Sequence, residues 1–311
     1  MDFKQLKYFA RIAELGNMTR ASESLRIAQP ALSQQIANLE SELDTRLFDR
    51  TAQGVRLTGT GEVLYRHAKS LLKQFEDVRV AVSQEGEDPS GHVVIGIPGS
   101  TGKILAVRLL QELRAYERIL LEIVERPSAE LVDLVANGKI DIAVAVDARQ
   151  RRGTTIQPLI HEELYVVYPT SEHIDKKTLR LKDVARHPLI LPSLPSTIRQ
   201  RIDAAFLAEH LGFNLVSEVG ATDMLVRLVT AGIGWTVLPW SAVADYVERD
   251  EISTASISGR TLQRELSLCI SDSLPLSRAA EVVRDTVVTV LEALVSSGTW
   301  EGAQPIKQSA S

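Results

Sequence analysis

Apolar positions in the N-terminal part of the chain recur with a helical period. Phe3, Leu6, Phe9, Ile12 and Ala13 share one face of a helix over residues 3–15, and Gly16 supplies a stop. Thr19 is placed to cap a short second helix running through Leu25. A third helix is expected to begin at Pro30, because a missing N–H costs nothing in the first turn. Leu32, Ile36, Leu39 and Leu43 fall on one side of it, and Pro30, Ser33, Gln34 and Ala37 on the other. That second face holds amides, a hydroxyl and small side chains where a solvated helix carries Glu and Lys. Two short helices in tight succession, the second with such a face, read as a helix-turn-helix. The stretch LFDRTAQGVRLT (47–58) follows as two short extended arms around a Gln53-Gly54 turn, with Arg50 and Arg56 on the arms. That is a wing.

The next pattern is heptad-like. Leu64, Ala68, Leu71, Phe75, Val78 and Val82 follow one another at spacings of 4, 3, 4, 3 and 4, an a/d seam over nearly three heptads. An amphipathic helix lying on its own core would show a broader stripe, and Leu72 is the main addition here. A dimerising linker helix is the preferred reading. EGEDPSG (85–91) then reads as an interdomain hinge.

Beyond the hinge, strand-like and helix-like runs alternate. HVVIGIP leads to a helix at 101–116, ILLEIVE to one at 128–136, and IDIAVAV closes a parallel βαβαβ unit. LYVVYP opens a second unit with PLILP, a helix at 197–210, LVSEVG, a helix at 222–231 and GWTVLP. RELSLCIS and a helix at 277–296 look like a return to the first unit. The expectation is a DNA-binding domain at 1–58, a linker helix and hinge at 59–90, and a two-lobed α/β domain at 91–300. Its first lobe takes 91–160 and 267–300, and its second 161–266, joined by two crossover strands with a cleft between them. The tail GTWEGAQPIKQSAS is expected to fray, with 301–311 outside the domain.

Composition sharpens this picture at two points. The net charge of −5 argues against nucleic acid, but residues 1–82 carry 12 Lys/Arg against 10 Asp/Glu, and residues 83–311 carry 23 against 30. Only the N-terminal part tolerates a phosphate backbone. The single cysteine, Cys269, excludes an intramolecular disulfide, suits a reducing compartment, and sits in the strand-like LSLCISD as an inert thiol. The N-terminus lacks a secretory h-region, and no apolar run approaches the ~20 residues that span a bilayer. A soluble, cytoplasmic protein without membrane contact is expected.

Candidate chemistry in the α/β part is sparse. GIPGSTGKI mimics a phosphate loop but holds Ile97 and Ile104 where a Walker A loop needs Gly and Ser/Thr. Six histidines show no ligand spacing, and no nucleophile elbow or Cys/His pair is present, so no metal, cofactor or catalytic residue is expected. Hydroxyls do recur at helix starts after strands: Ser100 and Thr101, Ser128, Ser193 and Ser196, and Thr222. Around one cleft they would make an anion site, although Ser and Thr are also ordinary N-caps. Arg199 would add charge or face solvent.

LKYFARIAELGNMTRASESLRIAQPALSQQIANLESELDTRLFDRTAQGVRLTGTG, GHVVIGIP, LVANGKIDIAVAV and VTAGIGWTVLP appear in that order, and on them the chain resembles the LysR-type transcriptional regulators over essentially its whole length. Within the family it is most similar to the nitrogen assimilation control subgroup, on AQPALSQQIANLE and LPSLPSTIRQRID. The resemblance implies a winged helix-turn-helix, a linker helix and a periplasmic-binding-protein-like effector domain. It places Gln29, Pro30, Ser33 and Gln34 in the DNA groove, Asn38 nearer the backbone, and Thr19 in the same DNA-binding set. Arg50 and Arg56 would meet the minor groove or flanking phosphates. It further implies a homodimer through the linker helices, usually a tetramer, acting as activator or repressor and meeting RNA polymerase where it activates. Most such regulators respond to a small, often carboxylated, metabolite; the subgroup is thought to be controlled by its own abundance instead. The competing reading, a binding module or enzyme on the α/β lobes with an unrelated helical arm, leaves the polar third helix, the wing and the seam unexplained.

Overall fold

The computed structural model describes residues 1–51, 54–83, 88–174, 176–259 and 262–306. The chain divides into two compact units, Met1–Glu87 and Asp88–Ser311. Among the described residues no helix is long and apolar enough to cross a membrane.

The first unit opens with α1 (Phe3–Leu15), whose first turn is closed by a reciprocal pair: Asp2 accepts from the Gln5 N–H and Gln5 accepts from the Asp2 N–H. Gly16 ends it at φ 59°, a left-handed turn that costs glycine little. α2 (Met18–Leu25) starts earlier than the sequence suggests. Asn17, in extended backbone, caps it by accepting from the Arg20 N–H, so Thr19 lies exposed inside the first turn rather than at the cap. α3 (Gln29–Glu42) likewise gains Gln29 ahead of Pro30. Leu43 belongs to its C-terminal cap and is exposed, so the inner face is Leu32, Ile36 and Leu39 alone. These three pack with Leu6, Phe9, Ile12, Leu47 and Phe48 in one core, each worth about 1.5–3 kcal/mol of burial.

β1 (Phe48–Thr51) and β2 (Gly54–Leu57) pair antiparallel, with Asp49 opposite Arg56 and Arg50 opposite Val55. The wing is fastened to the end of α1: Val55 N–H donates to the Gly16 carbonyl, and a Cβ on Gly54 would lie 2.3 Å from that oxygen. Gln53, assigned to the turn, lies outside the described residues.

α4 (Gly59–Ser83) belongs to this first unit, so residue 58 does not end a compact body. Its a/d seam divides. Ala68 is fully buried in the helix-turn-helix core and Leu64 packs against that core. Both are intrachain contacts, because the first turns of α4 lie on α1. Leu71, Phe75 and Val78 stay 47%, 46% and 62% exposed. The Phe75 ring rests on Phe3 at 4.0 Å between centroids. The side chain of Val82 lies outside the described residues.

In the second unit, β3 (Gly91–Ile97), α5 (Gly99–Glu112), β4 (Ile119–Glu125), α6 (Ser128–Ala136) and β5 (Ile142–Val146) form the first lobe's βαβαβ, with β4 and β5 parallel to β3. β6 (Thr154–Pro169) then leaves this lobe and enters the second. That lobe adds β7 (Thr178–Leu179), α7 (Leu181–Val184), β8 (Pro188–Pro192), α8 (Thr197–Ala208), β9 (Asn214–Val219), α9 (Thr222–Thr230), β10 (Thr236–Pro239), α10 (Trp240–Glu248) and β11 (Ile252–Ile257). β12 (Gln263–Ser271) returns, and α11 (Arg278–Ser296) covers the first lobe. β10 and β11 pair antiparallel with β6, while β8 pairs parallel with β9.

The crossover strands pair with each other antiparallel, Arg264 opposite Glu162. Two cores flank this ribbon. Ile160, Leu266 and Leu268 join the first lobe's core, and Leu164 and Leu262 the second's. α5 and α11 line one face of the first lobe's sheet, and α6 the other, where Cys269 is fully buried. Burial pushes that thiol up to about 12.

The tail is a correction. Trp300 is 1% exposed within the first lobe's core, and β13 (Ala303–Pro305) pairs with β6 across Ala303↔Glu162, Gln304↔His161 and Pro305↔Ile160. Its polar composition suggested fraying, but the edge of β6 offers it backbone partners and the core offers the indole a pocket. Residues 307–311 lie outside the described part. Trp300→Ala is expected to cost about 3–5 kcal/mol, read as a lowered urea midpoint. A frayed tail would leave that midpoint unchanged.

Candidate nucleic-acid interface and interlobe cleft

On α3, the residues assigned to DNA do stand outward. Gln29, Pro30, Ala31, Gln34, Ala37 and Asn38 are exposed and Ser33 is half-buried. The amides are held along the helix: Gln29 Nε2 donates to Ser33 Oγ at 3.3 Å and Gln34 Nε2 to Asn38 Oδ1 at 2.9 Å. These i, i+4 bonds keep both long amides on one outward stripe. Gln35 is half-buried, and Arg56 is exposed on the wing. The side chain of Arg50 lies outside the described residues. Glu40, by contrast, is internal glue, its Oε1 accepting from the Leu47 and Phe48 N–H groups at 2.7 and 3.2 Å. It ties α3 to the first arm of the wing.

The second unit disposes of its candidate hydroxyls in several ways. Ser128 Oγ accepts from the Val146 N–H at 2.9 Å, pinning the start of α6 to the end of β5. Ser196 and Ala221 precede α8 and α9 without a side-chain cap bond, and Ser193 donates its backbone N–H to the Val219 carbonyl at 3.2 Å. Thr222 begins α9 and is half-buried. Thr101 is fully buried, and its hydroxyl has no partner among the described residues. Ser100 is 6% exposed, and its Oγ takes a hydrogen bond from Arg264 Nη1 at 3.1 Å. Arg199 is neither solvent-facing nor free. It is 8% exposed, pairs with Asp203 at 2.9 Å and bonds Glu218.

Arg264 belongs to a network that the sequence did not announce. Its Nε and Nη2 each reach Glu162 Oε2 at 2.7 Å, and Nη2 also donates to Ser241 Oγ at 3.1 Å. Glu162 Oε1 accepts from the Ser241 N–H at 3.1 Å and from Trp300 Nε1 at 2.7 Å. Glu162 is 0% and Arg264 3% exposed at the side chain. The pair stands where the lobes meet, with Ser100 and Trp300 supplied from the first lobe and Ser241 from the second.

Two further ion pairs cross between the lobes. Lys103 on α5 meets Asp223 on α9 at 3.0 Å, and Tyr246 donates to the same carboxylate at 2.9 Å. Lys103 first, then Tyr246, holds the Asp223 carboxyl below the usual carboxylate range. Arg201 on α8 grips Asp147, just past β5, and Asp147 Oδ1 also accepts from the Glu265 N–H at 3.1 Å. An opening of about 350 Å³ is lined by Asp147, Ala148, His161, Arg201, Gln263, Arg264 and Glu265. No cluster of metal-ligating side chains is found among the described residues.

Glu162, Ser241, Arg264 and Trp300 were missed from sequence. A partial signal existed: Glu162 and Arg264 each stand two positions ahead of the apolar runs LYVVYP and LSLCI on the two crossover strands, with Glu163 and Glu265 in between.

Comparison with known proteins follows the same division of the chain. Residues 3–62 match the bacterial regulatory helix-turn-helix protein, lysR family, and residues 86–292 match the LysR substrate binding domain. The nitrogen assimilation regulatory protein nac of Klebsiella aerogenes is 34% identical over 293 residues, 94% of this chain and 95% of that protein. A full-length OxyR variant from Pseudomonas aeruginosa superposes with a TM-score of 0.73 at 23% identity, covering 100% of this chain and 99% of that one. Full-length CbnR, solved with its target DNA, gives 0.70 at 22% identity over 93% of this chain and 100% of its own. The two structures share the fold; the domain matches and the whole-length identity go further. This chain belongs to the LysR family and is a DNA-binding transcriptional regulator, not an enzyme.

Proposed function

We propose that the protein reads promoter sequence through the outward stripe of α3 and works in the cytoplasm as an activator or repressor. Gln29, Pro30, Ser33 and Gln34 would enter the major groove, with Thr19 and Asn38 nearer the backbone and Arg50 and Arg56 at flanking phosphates or the minor groove. An amide can bond adenine N6 and N7 together, while Pro and Ala suit a thymine methyl. Gln29→Ala is expected to weaken specific binding by about 1–3 kcal/mol and leave nonspecific binding nearly unchanged. Arg56→Ala should weaken both and lower the salt slope by about one unit. Titrations on cognate and random duplexes at several salt concentrations read both; equal losses for Gln29→Ala would reassign that residue to the backbone. The exposed half of the α4 seam supports a homodimer, which would pair further into a tetramer and meet RNA polymerase when activating.

The effector domain, on this reading, is closed by its own side chains and the protein is governed by its abundance. The observation that carries this is Arg264, a buried cation between the lobes with each of its three nitrogens bonded inside the chain. Ser100, the first hydroxyl assigned to an effector, is one of those partners. A thermal-shift and footprint screen of small carboxylates at millimolar concentration should leave the wild-type protein unmoved. The second reading, a small carboxylate held by Ser100, Thr101, Ser128, Ser193, Ser196 and Thr222, draws on the unpartnered Thr101 hydroxyl. A metabolite that raises the melting temperature and alters the footprint would establish it.

A further inference from the structure

We propose that Glu162 is a tethered ligand: its carboxylate fills a small-carboxylate site built by Arg264, Ser241 and Trp300. The proposal rests on the reading that the effector domain works without a metabolite, and names what takes the metabolite's place. The site has the features of a ligand pocket rather than of a surface ion pair. One carboxylate oxygen takes the Arg264 guanidinium at 2.7 Å, and the other takes two N–H donors at 3.1 and 2.7 Å. The backbone donor, Ser241 N–H, lies in the first turn of α10, where unpaired amides and the helix dipole favour an anion. The far side of the guanidinium is bound by Ser100 and Ser241 hydroxyls, so the cation is aimed before any anion arrives.

The tether explains why no external anion is needed. Glu162 is fixed in β6, opposite Arg264 on β12 and Ala303 on β13, so its carboxylate meets the cation without loss of translational freedom. A free carboxylate would have to displace a group already at high effective concentration. The bond also joins the lobes. Ser241 is buried at the start of α10 on the second lobe, whereas Ser100 and Trp300 belong to the first. Glu162 therefore acts as a positioning residue for the closed arrangement.

Glu162→Ala removes a CH2–COO⁻ fragment, and acetate supplies the same heavy atoms. In the full-length variant, acetate at tens of millimolar should raise the melting temperature by about 5 °C over sodium chloride of equal ionic strength. Acetamide, the neutral isostere, should not, and wild-type protein should respond to neither. The variant's promoter footprint should change and return toward the wild-type pattern with acetate. Adding Arg264→Met to the variant should abolish the response. If Glu162→Ala does not fold in chloride, the refolding yield reads the same equilibrium: recovery in acetate alone supports the proposal, and equal failure in both salts overturns it. An identical response to acetate, acetamide and chloride also overturns it. These outcomes are separate from the metabolite screen on wild-type protein. A metabolite acting elsewhere would sink effector independence while leaving the acetate rescue intact.

Discussion

Leu71→Glu is expected to yield monomers at micromolar concentration with both compact units still folded. Leu71 and Val78 are 47% and 62% exposed, apolar, and spaced for an a/d seam on α4. Across a two-fold seam the new carboxylates would face each other, and burying like charges costs several kcal/mol. Loss of the second half-site contact should then weaken promoter binding by about 10²- to 10⁴-fold. Sedimentation together with a gel-shift titration reads both effects, and an intact dimer would remove the seam from the interface. Ala68→Glu supplies the contrast. That position is fully buried in the helix-turn-helix core, so a charge there should unfold the first unit rather than split a dimer.

Arg264→Ala should cost the second unit about 3–5 kcal/mol, because it leaves the Glu162 carboxylate buried without its cation. The Ser100 and Ser241 hydroxyls lose their donor at the same time. Replacing both charges, Glu162→Met with Arg264→Leu, should cost less than the single change, since no isolated charge remains. Denaturant unfolding of the three proteins tests this. A double variant as damaged as Arg264→Ala would mean that the hydroxyl and indole contacts, and not the ion pair, hold the ribbon.

Much of the first unit was legible because its interactions are local. Helical periodicity, a glycine stop and a polar outer stripe each lie within a few residues, and they were enough to find three helices, the wing and the stripe of Gln29, Ser33 and Gln34. The cap of α2 was misplaced by two positions because Asn17 and Thr19 are both competent cap residues, and the backbone before the helix chooses between them. The seam of α4 was legible as a period but not as an assignment: periodicity says which residues share a face, not what covers that face. Leu64 and Ala68 went to the chain's own core because α1 lies alongside them.

The second unit shows the other limit. Alternating strands and helices in order sufficed for two α/β lobes and their crossover strands, since burial on a sheet imposes its own pattern. The centre of the cleft is another matter. Glu162 meets Arg264 across 102 residues and Trp300 across 138. Strand alternation can say that Glu162 and Arg264 each face one side of a sheet, but register and the packing of distant segments decide that they face each other. The serines followed the same rule. Each was visible as a helix start, yet whether its hydroxyl binds a ligand, a backbone amide or an arginine depends on which neighbours the fold delivers. Ser128 received the Val146 amide and Ser100 received Arg264. Local pattern specifies elements and faces, and long-range pairing assigns the partners that turn a polar face into a site.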